Sequence, residues 1–134
     1  MPIYITQGHY TREAITGMIA APEDRSKALK KLVDAAGGKL LSWYLTFGEY
    51  DFVAISEFPD ETAAAGAVLA AAAGGGVTDL KTALAMTGPD AMKAFGKAGE
   101  LAPSFTSAGK GKSGAGASGA RAQTSVGSTG GRNR

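Results

Sequence analysis

Cysteine is absent from the 134 residues. Disulfides, thiolate metal ligands and a cysteine nucleophile are therefore excluded. Histidine occurs once, as His9, so a zinc centre would need several carboxylates, and no metal-ligand spacing accompanies it. Long hydrophobic runs are missing as well. The longest apolar stretch, Ala63 to Ala73, is mostly alanine and well short of the ~20 residues that a membrane-spanning helix requires. No basic residue precedes Arg12, so the charged opening of a secretory signal is lacking. Gly74-Gly75-Gly76 precedes a strand-like run rather than a helix and has no following Lys-Ser/Thr, which argues against a phosphate loop. The expectation is a cytoplasmic protein with no metal, no cofactor and no membrane association.

Acidic residues are also missing after Glu100, whereas Lys110, Lys112, Arg121, Arg132 and Arg134 follow it. The C-terminal segment thus carries +5. The other nine basic residues share the body with all twelve acidic ones, which leaves the body at −3. Residues 104–134 contain eight Gly and six Ser, with Phe105 and Val126 as the only large apolar side chains. Such a segment cannot bury enough surface to offset the entropy of ordering. A domain over residues 1–103 followed by a disordered Gly/Ser/Ala-rich basic tail over 104–134 is expected. The tail's charge permits nonspecific contact with nucleic acid, although aromatic residues for base stacking are not interleaved with it.

The body has alternating and helical patterns. Ile3, Ile5, Gln7 and His9 alternate with Tyr4, Thr6, Gly8 and Tyr10, which predicts a first strand over Ile3 to Tyr10. Thr11 suits an N-cap, with Glu13 in the first turn of a short helical stretch ending at Ala20. Pro22 is expected at the first position of the main helix. That helix carries an apolar stripe of Leu29, Leu32, Val33 and Ala36, with Arg25, Lys27, Lys30, Lys31 and Asp34 mostly off it. Gly37-Gly38 ends it by supplying positive φ. Lys39 to Phe47 reads as a second strand, with Leu41, Trp43, Leu45 and Phe47 on one face and Leu40, Ser42, Tyr44 and Thr46 on the other. A tight turn at Gly48-Glu49 leads into a third strand, Tyr50 to Phe58. Asp60 caps a second long helix running to about Ala73. Val77 to Thr87 follows as a fourth strand, with Thr78, Leu80, Thr82, Leu84 and Met86 on one face. A last helix covers Ala91 to about Leu101.

The order β-α-β-β-α-β plus a C-terminal helix is the split β-α-β, ferredoxin-like α+β pattern. It predicts one antiparallel sheet of strand order 4-1-3-2 with helices on one face. The first two strands are apolar on both faces, and a sheet with one wet face shows cleaner alternation. Self-association into a homo-oligomer is therefore expected.

Gly48-Glu49-Tyr50-Asp51 resembles the signature of the GYD domain family of small bacterial proteins. The opening Met1-Pro2-Ile3-Tyr4, Arg25, Gly37-Gly38-Lys39-Leu40, Trp43-Tyr44, the strand Tyr50 to Ile55, and Asp60-Glu61-Thr62-Ala63-Ala64 share the resemblance. It covers about residues 2 to 95. It implies a self-associating ferredoxin-like domain and supplies no catalytic residue. His9-Tyr10, the alanine-rich helix and the tail depart from the family pattern.

Antiparallel pairing places Tyr50 and Asp51 beside Gly8 to Tyr10. The edge so formed collects His9, Tyr10, Arg12, Tyr50, Asp51 and a helix N-terminus with free N–H groups. Three readings follow. The first is a self-associating domain that holds a small ligand at this edge, with Tyr10, Arg12, Tyr50 and Asp51, or inside the subunit interface. The second is a small cofactor-free enzyme with His9 and Asp51 as acid and base on a polar or aromatic substrate. The third is a structural protein whose tail contacts a partner. In a purely architectural account Gly48 shapes the turn, Tyr50 packs on Trp43 or Tyr44, and Asp51 accepts turn N–H bonds.

Overall fold

A computed structural model describes residues 1–109. The chain divides into two units, Met1–Thr87 and a second that begins at Gly88. The first contains β1 (Ile3–Tyr10), α1 (Arg12–Ala20), α2 (Arg25–Ala35), β2 (Lys39–Leu45), β3 (Phe52–Glu57), α3 (Glu61–Ala73) and β4 (Val77–Ala85). The second contains α4 (Gly88–Leu101) and a 3-10 turn, Ala102–Ser104, where the Ser104 hydroxyl donates to the Leu101 carbonyl at 2.7 Å. The boundary expected at residue 103 falls inside that turn. Residues 110–134, most of the expected tail, lie outside the described residues.

All strands of the first unit form one antiparallel sheet in the order β2-β3-β1-β4, as the split β-α-β pattern requires. Phe52, Ala54 and Ser56 of β3 are buried, and their β1 partners are Gly8, Thr6 and Tyr4. This face carries the helices. Ile3, Ile5, Gln7 and His9 lie on the other face, with Val53 and Ile55. The core sits where α2 and α3 meet the sheet. Val33, Phe58, Ala64 and Ala67 are buried there, with Tyr4, Leu29, Leu32 and Leu40 packed around them.

Three local expectations are corrected. Pro22 is not the first residue of the main helix. Asp24 caps α2 instead, because its carboxylate accepts from both the Ser26 N–H (3.0 Å) and the Ser26 hydroxyl (2.6 Å). The third strand begins at Phe52 rather than Tyr50, and the Thr46 N–H closes the connecting loop on the Asp51 carbonyl at 2.9 Å. The faces of the second and fourth strands do not alternate regularly, because each carries one extra residue. Leu41 is extra in β2, so Leu40 shares the helix face with Trp43 and Leu45. In β4 both Asp79 and Leu80 stand between the residues that pair with Gln7 and His9, where β1 has only Gly8. Asp79 has φ 54°, which parts Thr78 from Leu80.

Of the glycine pair after α2, only Gly37 has positive φ (81°). Gly38 has another reason to be glycine. A Cβ there would lie 2.2 Å from the Glu57 carbonyl oxygen, with Phe58 and Val33 also within about contact distance. Backbone cannot yield as a side chain can. Gly38→Ala is therefore expected to cost about 1–3 kcal/mol or more. Gly66→Ala, in α3 with nothing within 4 Å of the added Cβ, is expected to stabilise by about 0.5–1 kcal/mol. Urea unfolding of both variants checks this; midpoints moving in the same direction would refute the assignment.

Candidate functional site

Alternation along β1 sends neighbouring residues to opposite faces, and this divides the expected site in two. His9 lies on the face away from the helices. Its Nε2 donates to the Glu49 carbonyl at 2.6 Å, its Nδ1 is 3.3 Å from an Asp79 carboxylate oxygen, and its ring lies 5.3 Å from that of Tyr50. Lys81 hydrogen-bonds Asp79 and holds its carboxyl below the usual carboxylate range. Tyr50 thus packs against His9 rather than on Trp43 or Tyr44. Tyr10 is on the helix face, its ring 5.2 Å from that of Phe52. Arg12 opens α1 and is exposed. The N-terminus of α1 is already capped by Thr11, whose hydroxyl accepts from the Ala14 N–H at 3.2 Å.

Asp51 stands between these groups and serves the backbone. Its N–H donates to the Gly8 carbonyl at 2.8 Å, and its carboxylate accepts from the Tyr10 N–H at 2.9 Å. The side chain takes over where the β1–β3 ladder ends, standing in for the next carbonyl of the strand. Thr46 adds a hydroxyl donated to the Tyr50 carbonyl at 2.7 Å. Gly48 has φ 150°, a conformation that side-chain-bearing residues rarely adopt. No hydrogen bond or ion pair joins His9 to Asp51 among the described residues.

The concave site lies elsewhere. A cavity of about 320 Å³ opens between α2, α3 and the helix face of the sheet. Its walls are Leu29, Leu32, Trp43, Phe52 and Leu80, and Ala67, Val68, Ala70 and Ala71 of α3 line it without filling it. Thr6, Tyr10 and Arg25 supply polar groups to it, and Arg25 is its only charged residue among those described. The Arg25 and Tyr10 side chains line it together. Burial pushes the Tyr10 phenol above its ordinary value, against the pull of Arg25. Of the residues singled out from the sequence as a site, only Tyr10 reaches this cavity. Arg25, Trp43 and Thr6 were not among them. The signal for Arg25 was its spacing, for it precedes Ala28, Leu29 and Leu32 by three, four and seven residues and so puts a charge on the apolar stripe.

Four antiparallel strands in this order, with helices on one face and a cavity between the layers, define a ferredoxin-like α+β domain. The chain belongs to the GYD domain family, whose model matches residues 4–95. Among solved structures, the crystal structure of FFRP-DM1 aligns with a TM-score of 0.40 at 15% identity, over 64% of this chain and 100% of that one. The crystal structure of TTHA0845 from Thermus thermophilus aligns with a TM-score of 0.43 at 19% identity, over 65% of this chain and 95% of that one. No curated protein matches the sequence.

The geometry at Asp51 makes a direct prediction. Asp51→Ala leaves the part-buried Tyr10 N–H without its acceptor and is expected to cost about 1–2 kcal/mol. Asp51→Asn keeps an oxygen in place and should retain most of that stability. Urea midpoints at unchanged m-value separate the two; equal losses would mean that the hydrogen bond is not what the side chain contributes.

Proposed function

We propose that the domain binds a small, largely apolar molecule in the cavity between α2, α3 and the sheet. The observation that carries this reading is the cavity itself. It is apolar on its walls, it holds a few convergent polar groups, and its 320 Å³ is at the small end of the ~300–1,000 Å³ typical of ligand pockets. His9 and Asp51 do not line it, and each is engaged with its own partners. Binding is thus favoured over acid–base chemistry by that pair. Trp43 is the only tryptophan of the chain and is part of the wall, so its fluorescence reports occupancy. Titration with phenylpropanamide, a neutral probe, is expected to give a saturable change in that signal. Ala71→Phe should abolish the response while leaving the circular dichroism unchanged. A wild-type protein that responds neither to this probe nor to its carboxylate analogue phenylpropanoate, each at millimolar concentration, would overturn the reading.

A second reading, self-association, draws on the other face of the sheet. Ile3, Ile5, Val53 and Ile55 form an aliphatic patch there, and beside Val53 the Tyr44 side chain is 60% exposed. Association through this patch would remove apolar surface from water on both copies. Sedimentation of the full chain at micromolar concentration is expected to report a dimer or larger species, and Ile5→Glu a monomer. A monomeric wild type would end this reading.

A further inference from the structure

Resting on the cavity reading, we infer that the molecule bound there is a monocarboxylate, its apolar body between α2, α3 and the sheet and its carboxylate on Arg25 and the Tyr10 hydroxyl. Three observations converge on this pair. Among the described residues Arg25 is the single charged group lining a largely apolar cavity, and a cation so placed is complementary to an amphiphilic anion. Its present partner is dispensable. Glu23, two residues away in the link between α1 and α2, meets the guanidinium at 2.9 Å with both side chains more than a third exposed. Such a surface pair contributes little and exchanges readily for a better-placed carboxylate. Finally, Tyr10 lines the same cavity as Arg25, and its hydroxyl can donate to a carboxylate oxygen. Burial pushes that phenol above its ordinary value, which keeps the hydrogen on the oxygen.

The position of the pair adds a limit on ligand shape. A second cavity of about 340 Å³, lined by Met18, Ala21 and Glu23, is also bordered by Tyr10, Arg25 and Gly76. The three shared residues form the partition between the two spaces. A carboxylate held there sits at the junction, with the apolar body extending inward and any further substituent extending along α1.

Phenylpropanoate and phenylpropanamide differ in charge and hardly in size, so the ratio of their dissociation constants isolates the head group. Isothermal titration of the full-length protein is expected to favour the carboxylate at least about tenfold, the scale of one charge-assisted hydrogen bond. In Arg25→Gln that ratio should collapse toward one with the amide still bound. In Tyr10→Phe it should fall part of the way. Glu23→Gln, which frees the guanidinium, should tighten the carboxylate alone by a few-fold. Equal affinities in the wild type, or a preference that survives Arg25→Gln, would overturn the inference while leaving the cavity reading in place. Failure of both probes to bind would remove the cavity reading and this inference together.

Discussion

A helix built of alanine does not reach far enough across a helix–sheet layer to fill it. In α3 the residues that are buried or line the cavity include Ala64, Ala67, Ala70 and Ala71, and Val68 is the one larger side chain among them. Packing is therefore complete only where α2 supplies the bulk. Leu29, Leu32 and Val33 meet Phe58 there, and Gly38 lets the chain leave α2 in close contact with the Glu57 carbonyl. Beyond that end, the space under α3 stays open. The domain concentrates its apolar packing at one end of the sheet and its cavity beside it, and both follow from the same sequence bias toward small residues.

The family motif belongs to the scaffold rather than to this cavity. Gly48 allows the loop its unusual φ, Tyr50 packs on His9, and the Asp51 carboxylate continues the β1–β3 ladder past the last paired residue. The effect on the site is indirect. By fixing the Tyr10 backbone, Asp51 sets where the phenol stands relative to Arg25 and Phe52. The pocket's polar end thus depends on a backbone hydrogen bond to a residue that does not line the pocket.

Much of this architecture was legible in the residues. The limits of β1 and α3, the Asp60 and Thr11 caps, and the strand order all follow from alternation, cap chemistry and the split β-α-β pattern. What escaped the sequence reading has physical causes. Leu41 and Asp79 are extra residues of types that also occur in regular strands, and one such residue reverses every face assignment beyond it. Pro22 and Asp24 both suit a helix start, and the side chain able to accept two hydrogen bonds prevailed. The alternation that separates His9 from Tyr10 was visible in β1. Its consequence, that the two cannot share one pocket, needed the sheet's helix-bearing face to be known. Arg25 was obscured because a charge on an apolar stripe resembles a solvated helix start until the cavity beneath it is seen.

Both extra residues lie in edge strands, Leu41 in β2 and Asp79 in β4, whereas β1 and β3 are regular and interior. An edge strand offers unpaired N–H and C=O groups to any passing chain, and a uniformly spaced row of them is a template for cross-β growth. A bulge interrupts that spacing and twists the rim. The left-handed Asp79 with its Lys81 partner adds charge of both signs at one rim, and Lys39 places another charge at the start of the other strand. The sheet is thereby a poor seed for strand-by-strand polymerisation into fibrils, although its body is rich in small and β-branched apolar residues.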